Sequence, residues 1–227
     1  LIISLLDEDL DHLNEEEFLI SRLDDLNTCS NVIHSPTVGG NDAAYLMFTS
    51  GSTGVPKAAV ISHGALLNFI SWSKERFEVK SSDRFTNVNP LYFDNSVFDF
   101  YASLFNGATL CPTPSELLVK PLELVKWANR INCTIWFSVP SLLVYLLTLR
   151  ALNSDNKISS LRLIVFGGEG FPKKKLHELF ELFSPATKLE NVYGPTETTC
   201  ICSAHTITED DFIDMLKLAT LGKIAPN

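Results

Sequence analysis

Hydrophobic positions along the chain change period in a regular way. After a polar stretch containing Pro36, Gly39, Gly40 and Asn41, apolar residues crowd into positions 43–48. Leu66, Phe69, Ile70 and Phe77 then recur at the spacing of one helix face, and positions 85–89 return to a short compact run. The same rhythm predicts a helix over 96–105 ended by Gly107, a strand at 109–111, and a helix over 121–130 with Pro121 at its start. It continues with a strand at 133–138, a helix from Pro140 to about residue 152, a strand at 161–166, a helix to Phe183 opened by Pro172, and a strand at 189–193. Short apolar runs alternating with amphipathic stretches are an α/β signature, with helices packed on a mostly parallel sheet. No internal repeat and no low-complexity tract interrupts it.

The boundary expected near residue 40 separates two segments. Residues 1–40, acidic over 7–17, read as the end of a preceding subdomain and an acidic linker; residues 41–227 read as one core. Positions 1–6 are apolar but carry neither an initiating methionine nor a basic flank, and the chain stops at Asn227 without a closing element, so the expectation is a fragment truncated at both ends.

Composition narrows the class. The chain has 227 residues, 45% hydrophobic, which is enough for a real core. A net charge of -9 disfavours a nucleic-acid backbone or an anionic membrane as the main partner. The apolar stretch 137–149 is broken by Pro140 and is too short to span a bilayer. Five cysteines without a CxxC pair suggest reduced thiols in a cytoplasmic protein.

Chemistry concentrates in four segments. The first is Phe48-Thr49-Ser50-Gly51-Ser52-Thr53-Gly54-Val55-Pro56-Lys57, where glycines let backbone N–H groups converge on an anion, hydroxyls add donors and a lysine adds charge. A plain Gly/Ser turn has the same composition. A Walker A loop does not fit, because Pro56 stands where its second glycine belongs and Ala58 where its magnesium-binding hydroxyl belongs. The second is Phe166-Gly167-Gly168-Glu169, and the third is Asn191-Val192-Tyr193-Gly194-Pro195-Thr196-Glu197. The fourth is Phe93-Asp94-Asn95-Ser96, whose carboxylate lies among Phe93, Val97, Phe98 and Phe100 and requires either a cation or neutralisation. Asp94 is also placed to cap the helix that follows.

These segments, in this order, resemble the motifs of the acyl-adenylate-forming enzymes, the superfamily of nonribosomal peptide synthetase adenylation domains, acyl-CoA ligases and luciferases. Thr49 to Lys57 follow the phosphate-loop pattern throughout, with Ala58 in place of the usual glycine. The resemblance implies the nucleotide-facing part of the large N-terminal domain of such an enzyme, using ATP and Mg²⁺. Thr49, Ser50, Gly51, Ser52, Thr53, Gly54 and Lys57 would hold phosphate; Gly168, Glu169, Asn191, Tyr193 and Gly194 would surround the nucleotide. Thr196 would donate to phosphate and Glu197 would ligate the metal, so that Lys57, Thr196 and Glu197 carry catalysis.

In amino-acid-activating members the aspartate of Phe-Asp-x-Ser holds the α-ammonium, so Asp94 points to an amino acid. By the same resemblance Asn95, Phe98, Phe137, Val165, Gly167, Val192, Cys200 and Ile201 would line the side-chain pocket, and several segments look most like D-alanine:carrier-protein ligases. The implied reaction makes aminoacyl-AMP and pyrophosphate, with later transfer to the phosphopantetheine thiol of a partner carrier protein. An acyl-CoA or aryl-acid ligase and a noncatalytic fragment are the alternatives. Outside these motifs, His63 reads equally as a helix N-terminal residue, Cys200 and Cys202 as pocket and core, and Lys173 to Lys175 as a solvated face.

Overall fold

The computed structural model describes residues 2–4, 20–22, 37–49 and 55–225. The chain separates into two units, Leu1–Val38 and Gly39–Asn227. In the first, β1 (Ile2–Ser4) pairs in parallel with β2 (Ile20–Arg22). The acidic stretch 7–17 and Cys29 lie outside the described residues.

The second unit opens with an antiparallel hairpin of β3 (Ala43–Thr49) and β4 (Lys57–Ser62). The apolar run at 43–48 is therefore a strand, but it stands apart from the parallel sheet. Ser62 then caps α1 (His63–Arg76), its hydroxyl accepting from the Ala65 N–H at 3.2 Å. Next come β5 (Arg84–Asn87), the short helix α2 (Asn95–Val97) continuing as a π-helix over Phe98–Ala102, and β6 (Thr109–Pro112). They are followed by α3 (Pro121–Arg130), β7 (Ile135–Ser138), α4 (Pro140–Thr148), β8 (Leu163–Gly167), α5 (Lys173–Phe183) and β9 (Lys188–Tyr193). Two strands the periodicity does not announce, β10 (Ser203–Thr206) and β11 (Lys223–Ile224), close the edge antiparallel to their neighbours.

The seven strands lie in the order β11-β10-β9-β8-β7-β5-β6, with β5 to β9 parallel. Alternate side chains of the central strands enter two separate cores. Trp136, Ile164, Phe166 and Leu189 pack beneath α3, α4 and α5, whereas Phe85, Ile135, Phe137, Leu163, Val165 and Val192 pack beneath α1 and the α2 π-turn. Burial on both faces is why these strands read as continuous apolar runs. Each helix supplies one stripe to its core: Leu66, Phe69 and Ile70 on α1; Leu176, Leu179 and Phe183 on α5.

The helix predicted over 96–105 forms over 95–104 and holds the π-turn Phe98–Ala102 within it. Two expectations change. Helix α4 ends at Thr148, with Arg150 following in the left-handed region at φ 56°. Lys173 is not on a solvated face. It is 7% exposed, donates to the Asp211 carbonyl, and lies 5.6 Å from the centroid of the Phe212 ring.

A buried ion pair clamps the amino ends of the parallel strands. Arg162 donates to both oxygens of Asp83 at 2.8 and 2.6 Å, and Thr134 donates to Asp83 Oδ1 at 2.8 Å, joining the starts of β5, β7 and β8. Burial raises the Asp83 pKa, but Arg162, the Lys80 N–H and Thr134 outweigh it and hold the carboxyl below the ordinary 3.8. Asp83→Asn is expected to destabilise the protein by about 2 to 3 kcal/mol at neutral pH in chemical denaturation. Since the folded value is lowered, the wild-type contribution is complete above 3.8 and is lost as pH falls through the folded value, and the variant should lack that part of the acid limb.

Candidate active site

The strand order reverses at β5. One connection leads outward to β6, the next crosses back to β7, and open α/β sheets leave a crevice beyond the carboxyl ends of strands at such a point. A cavity of about 420 Å³ occupies it, lined at the end of β5 by Asn89, Asp94 and Asn95, at the end of β7 by Ser138 and Val139, and beyond β8 by Gly168 and Glu169. Among the described residues its lining contains carboxylates and amides but no lysine, arginine or histidine.

Asp94 is half-buried and does not serve as a helix cap: its backbone is already helical (φ −62°, ψ −22°) and its side chain makes no capping hydrogen bond. Burial pushes its carboxyl above the ordinary 3.8; the Thr196 hydroxyl and the backbone N–H groups of Asn95 and Asp94 offset part of this, and Glu197 adds repulsion. Residues a hundred positions apart, Asp94 and the Thr196-Glu197 pair, therefore share one electrostatic neighbourhood. Glu197 is exposed and Thr196 half-buried in the turn Thr196–Thr198.

A second cavity of about 260 Å³ adjoins the first through Gly168 and Glu169. Asn191, Val192, Tyr193, Leu218, Ala219 and Leu221 are among the other residues of its wall. Tyr193 is 46% exposed and presents a ring face, while the Asn191 side chain donates to the Thr220 carbonyl at 2.8 Å and so holds the 218–221 segment over the cavity. Glu169 Oε2 accepts from the Ser141 N–H at 3.1 Å, capping α4 from outside the helix. Gly168 needs its glycine for φ +88°, and a Cβ on Gly194 would meet the Cys200 carbonyl oxygen at 2.3 Å.

The phosphate-loop residues Ser50, Gly51, Ser52, Thr53 and Gly54 lie outside the described residues. Their anchors are described: Thr49 and Lys57 are opposite each other in the β3–β4 register, the Thr49 hydroxyl donates to the Lys57 carbonyl at 3.3 Å, and Lys57 is exposed. Strand β4 runs beside the Thr196–Thr198 turn.

The remaining expected pocket residues converge. Phe98, Phe137, Val165, Gly167, Val192, Cys200 and Ile201 are all buried, the rings of Phe98 and Phe137 meet edge-on at 5.3 Å, and Val192 also lines the second cavity. Of the residues expected around the amino acid, Asp94 and Asn95 line the open cavity. Cys200 and Ile201 do not run extended, because Thr199 and Cys200 have φ of 63° and 72°. Sequence reasoning missed Asn89, Ser138, Leu218, Ala219 and Leu221. Asn89 had a local signal, a polar residue just after a strand and before Pro90; the 218–221 segment reaches the site through tertiary contact alone.

Among the described residues no group of three or more His, Cys, Asp or Glu could hold a metal ion. An exposed carboxylate such as Glu197 fits magnesium, which takes one or two protein carboxylates and completes its shell with phosphate oxygens and water.

Comparison with known proteins is consistent with this geometry. The profile of the AMP-binding enzyme family matches residues 4–227. An L-proline--[L-prolyl-carrier protein] ligase of Pseudomonas fluorescens is 39% identical over 182 residues, covering 80% of this chain and 36% of the relative. A D-alanine--D-alanyl carrier protein ligase of Bacillus anthracis is 33% identical over 185 residues, covering 82% and 36%. The chain thus spans about a third of the length of these curated relatives. Among solved structures, the nonribosomal peptide synthetase FmoA3 in its alpha-methyl-L-serine-AMP bound form superposes with a TM-score of 0.82 at 29% identity, covering 98% of this chain and 25% of that one. The Vibrio cholerae adenylation domain AlmE in complex with glycyl-adenosine-5'-phosphate superposes with a TM-score of 0.72 at 28% identity, covering 82% and 34%.

The close approach at Gly194 is a sensitive point. Gly194→Ala is expected to force the Thr199–Ile201 backbone away from the end of β9, costing about 1 to 3 kcal/mol in thermal or chemical denaturation. AMP binding, read by calorimetry, should weaken in parallel.

Proposed function

The chain belongs to the AMP-binding enzyme family, and from that premise we propose that it is the nucleotide-facing core of an ATP-dependent ligase that activates an amino acid as aminoacyl-AMP for transfer to the pantetheine thiol of a carrier protein. The observation that carries this reading is the cavity at the strand-order reversal. It is lined by Asp94 and Glu169, has no basic side chain among the described residues, and adjoins Thr196 and Glu197. A carboxylate raised by burial, with no cation among the described residues that line its cavity, calls for a cationic ligand, and the ammonium of an amino acid supplies one.

In this reading the substrate carboxylate attacks the α-phosphorus of ATP, the bond to the bridging oxygen breaks, and pyrophosphate leaves. No protein nucleophile takes part, so the chain contributes position and charge. Asp94 anchors the ammonium. Thr196 and the loop from Thr49 to Lys57 hold phosphate oxygens, and the second cavity receives adenine against Tyr193. Glu197 would hold Mg²⁺, which supplies neutralisation of phosphate charge. The relatives whose names specify carrier-protein ligases support the carrier partner. The free thiols of Cys111, Cys133, Cys200 and Cys202 suit a cytoplasmic location, and among the described residues no helix is long and apolar enough to cross a membrane.

Two measurements on the full-length protein test this. In pyrophosphate exchange the wild type should use an amino acid and reject the acid lacking its amine, and Asp94→Ala should cost about 2 to 5 kcal/mol in kcat/KM and erase that preference. Equal use of both acids by the wild type would favour an acyl-CoA or aryl-acid ligase instead. Glu197→Gln should raise the magnesium concentration needed for half-maximal exchange, since an amide is a poorer ligand for a hard cation; an unchanged magnesium titration would remove Glu197 from the metal site.

A further inference from the structure

Strands β5 and β7 pair through Phe85 and Ile135, and beyond that point the gap between them is bridged by a side chain. Asn89, 7% exposed, donates from Nδ2 to the Phe137 carbonyl at 3.0 Å and to Asp99 Oδ2 at 2.9 Å. A carbonyl oxygen can only accept, so this contact fixes which end of the amide is nitrogen. Asp99 is fully buried on the π-turn, a conformation often found at functional sites, and meets Asn87 as well as Asn89 but no cation. With both N–H groups of Asn89 engaged, its Oδ1 is left as an acceptor. It takes no hydrogen bond from the described residues and is not among their sealed polar atoms, and Asn89 lines the cavity that holds Asp94.

Other acceptors in that lining are committed, exposed or loose. The Ser138 hydroxyl accepts from Trp136 Nε1 at 2.9 Å and donates to the Val139 carbonyl, Glu169 is exposed with Oε2 accepting from the Ser141 N–H, and the Asn95 side chain has no partner holding it among the described residues. A primary ammonium brings three N–H donors, and a secondary one, as in proline, brings two. Asp94 as a carboxylate accepts two at its two oxygens, and the third donor needs another acceptor in a site where unpaired polar groups are costly.

We infer that Asn89 is a second, uncharged anchor for the substrate's amino group, held in orientation by Asp99 as a positioning residue, and that the cavity selects a primary α-amine over a secondary one. The inference rests on the amino-acid reading of this cavity.

The test is pyrophosphate exchange by the full-length enzyme with glycine, L-alanine, D-alanine and L-serine, each beside its N-methyl counterpart, and with L-proline. The best primary amino acid should exceed its N-methyl counterpart and L-proline by about tenfold or more in kcat/KM. Asn89→Ala should lower kcat/KM for the primary amine about tenfold and leave the N-methyl compound within about twofold, collapsing the ratio. Asp99→Leu keeps Asn89 but releases its amide, so KM for the primary amine should rise while kcat and the N-methyl KM stay near wild type; a merely structural residue would move all of them. Equal use of primary and N-methyl forms by the wild type, a preference for L-proline, or an equal loss for both forms in Asn89→Ala would overturn the inference. The wild-type comparison decides even where a variant fails to fold. Exchange driven by no amino acid in any form is a separate outcome, which would instead overturn the amino-acid reading itself.

Discussion

A parallel sheet covered by helices on both faces has no wall on which a polar side chain can meet water. Every residue of β7 and β8 is buried, and their alternate side chains are claimed by one core or the other. In β7 and β8 polar chemistry is thereby confined to the two ends of the strands, where the backbone turns out of the sheet. The rest of the molecule follows from how these two ends are used.

At the amino ends the polar groups satisfy one another. Asp83, Arg162 and Thr134 neutralise and saturate their network across three strands, which makes that edge a clamp. At the carboxyl ends the balance is left incomplete. Asp94 lies near Glu197 without a basic neighbour among the described residues lining its cavity, Asp99 is buried against two amides, and Asn89 spends its donors on the scaffold. The difference between the edges is one of satisfaction, and an unsatisfied edge is the one with something left to bind. In the proposed reaction the ammonium, the phosphates and the base of the substrates would complete the polar pairing at this edge.

Much of the fold was legible in the order of apolar runs, since strands buried on two faces and helices with one apolar stripe leave distinct periods. The exceptions share a cause. The β3–β4 hairpin has the composition of a sheet strand but pairs locally, β10 reads Ser-Ala-His-Thr with no apolar run, and β11 is only two residues long. Lys173 carries a charge on an otherwise polar stretch, and its burial depends on the distant Asp211 carbonyl and Phe212 ring.

Within the site, Asp94 could be singled out because a carboxylate in apolar surroundings carries its chemistry locally, whereas Thr196, Glu197, Tyr193 and the two glycine turns were marked by their resemblance to the family's motifs. Their union could not be read that way. The sequence by itself determined the α/β class, the motif order and the residues able to do chemistry. The tertiary structure decided that Asp94 shares a neighbourhood with Thr196 and Glu197, that Phe98 and Phe137 fill space, that Asn89 faces the cavity, and that residues 218–221 cover its neighbour. The physical reason is the reversal of strand order between β5 and β7: it joins loops from distant parts of the chain at one crevice, and no periodicity along the chain records which loops those are.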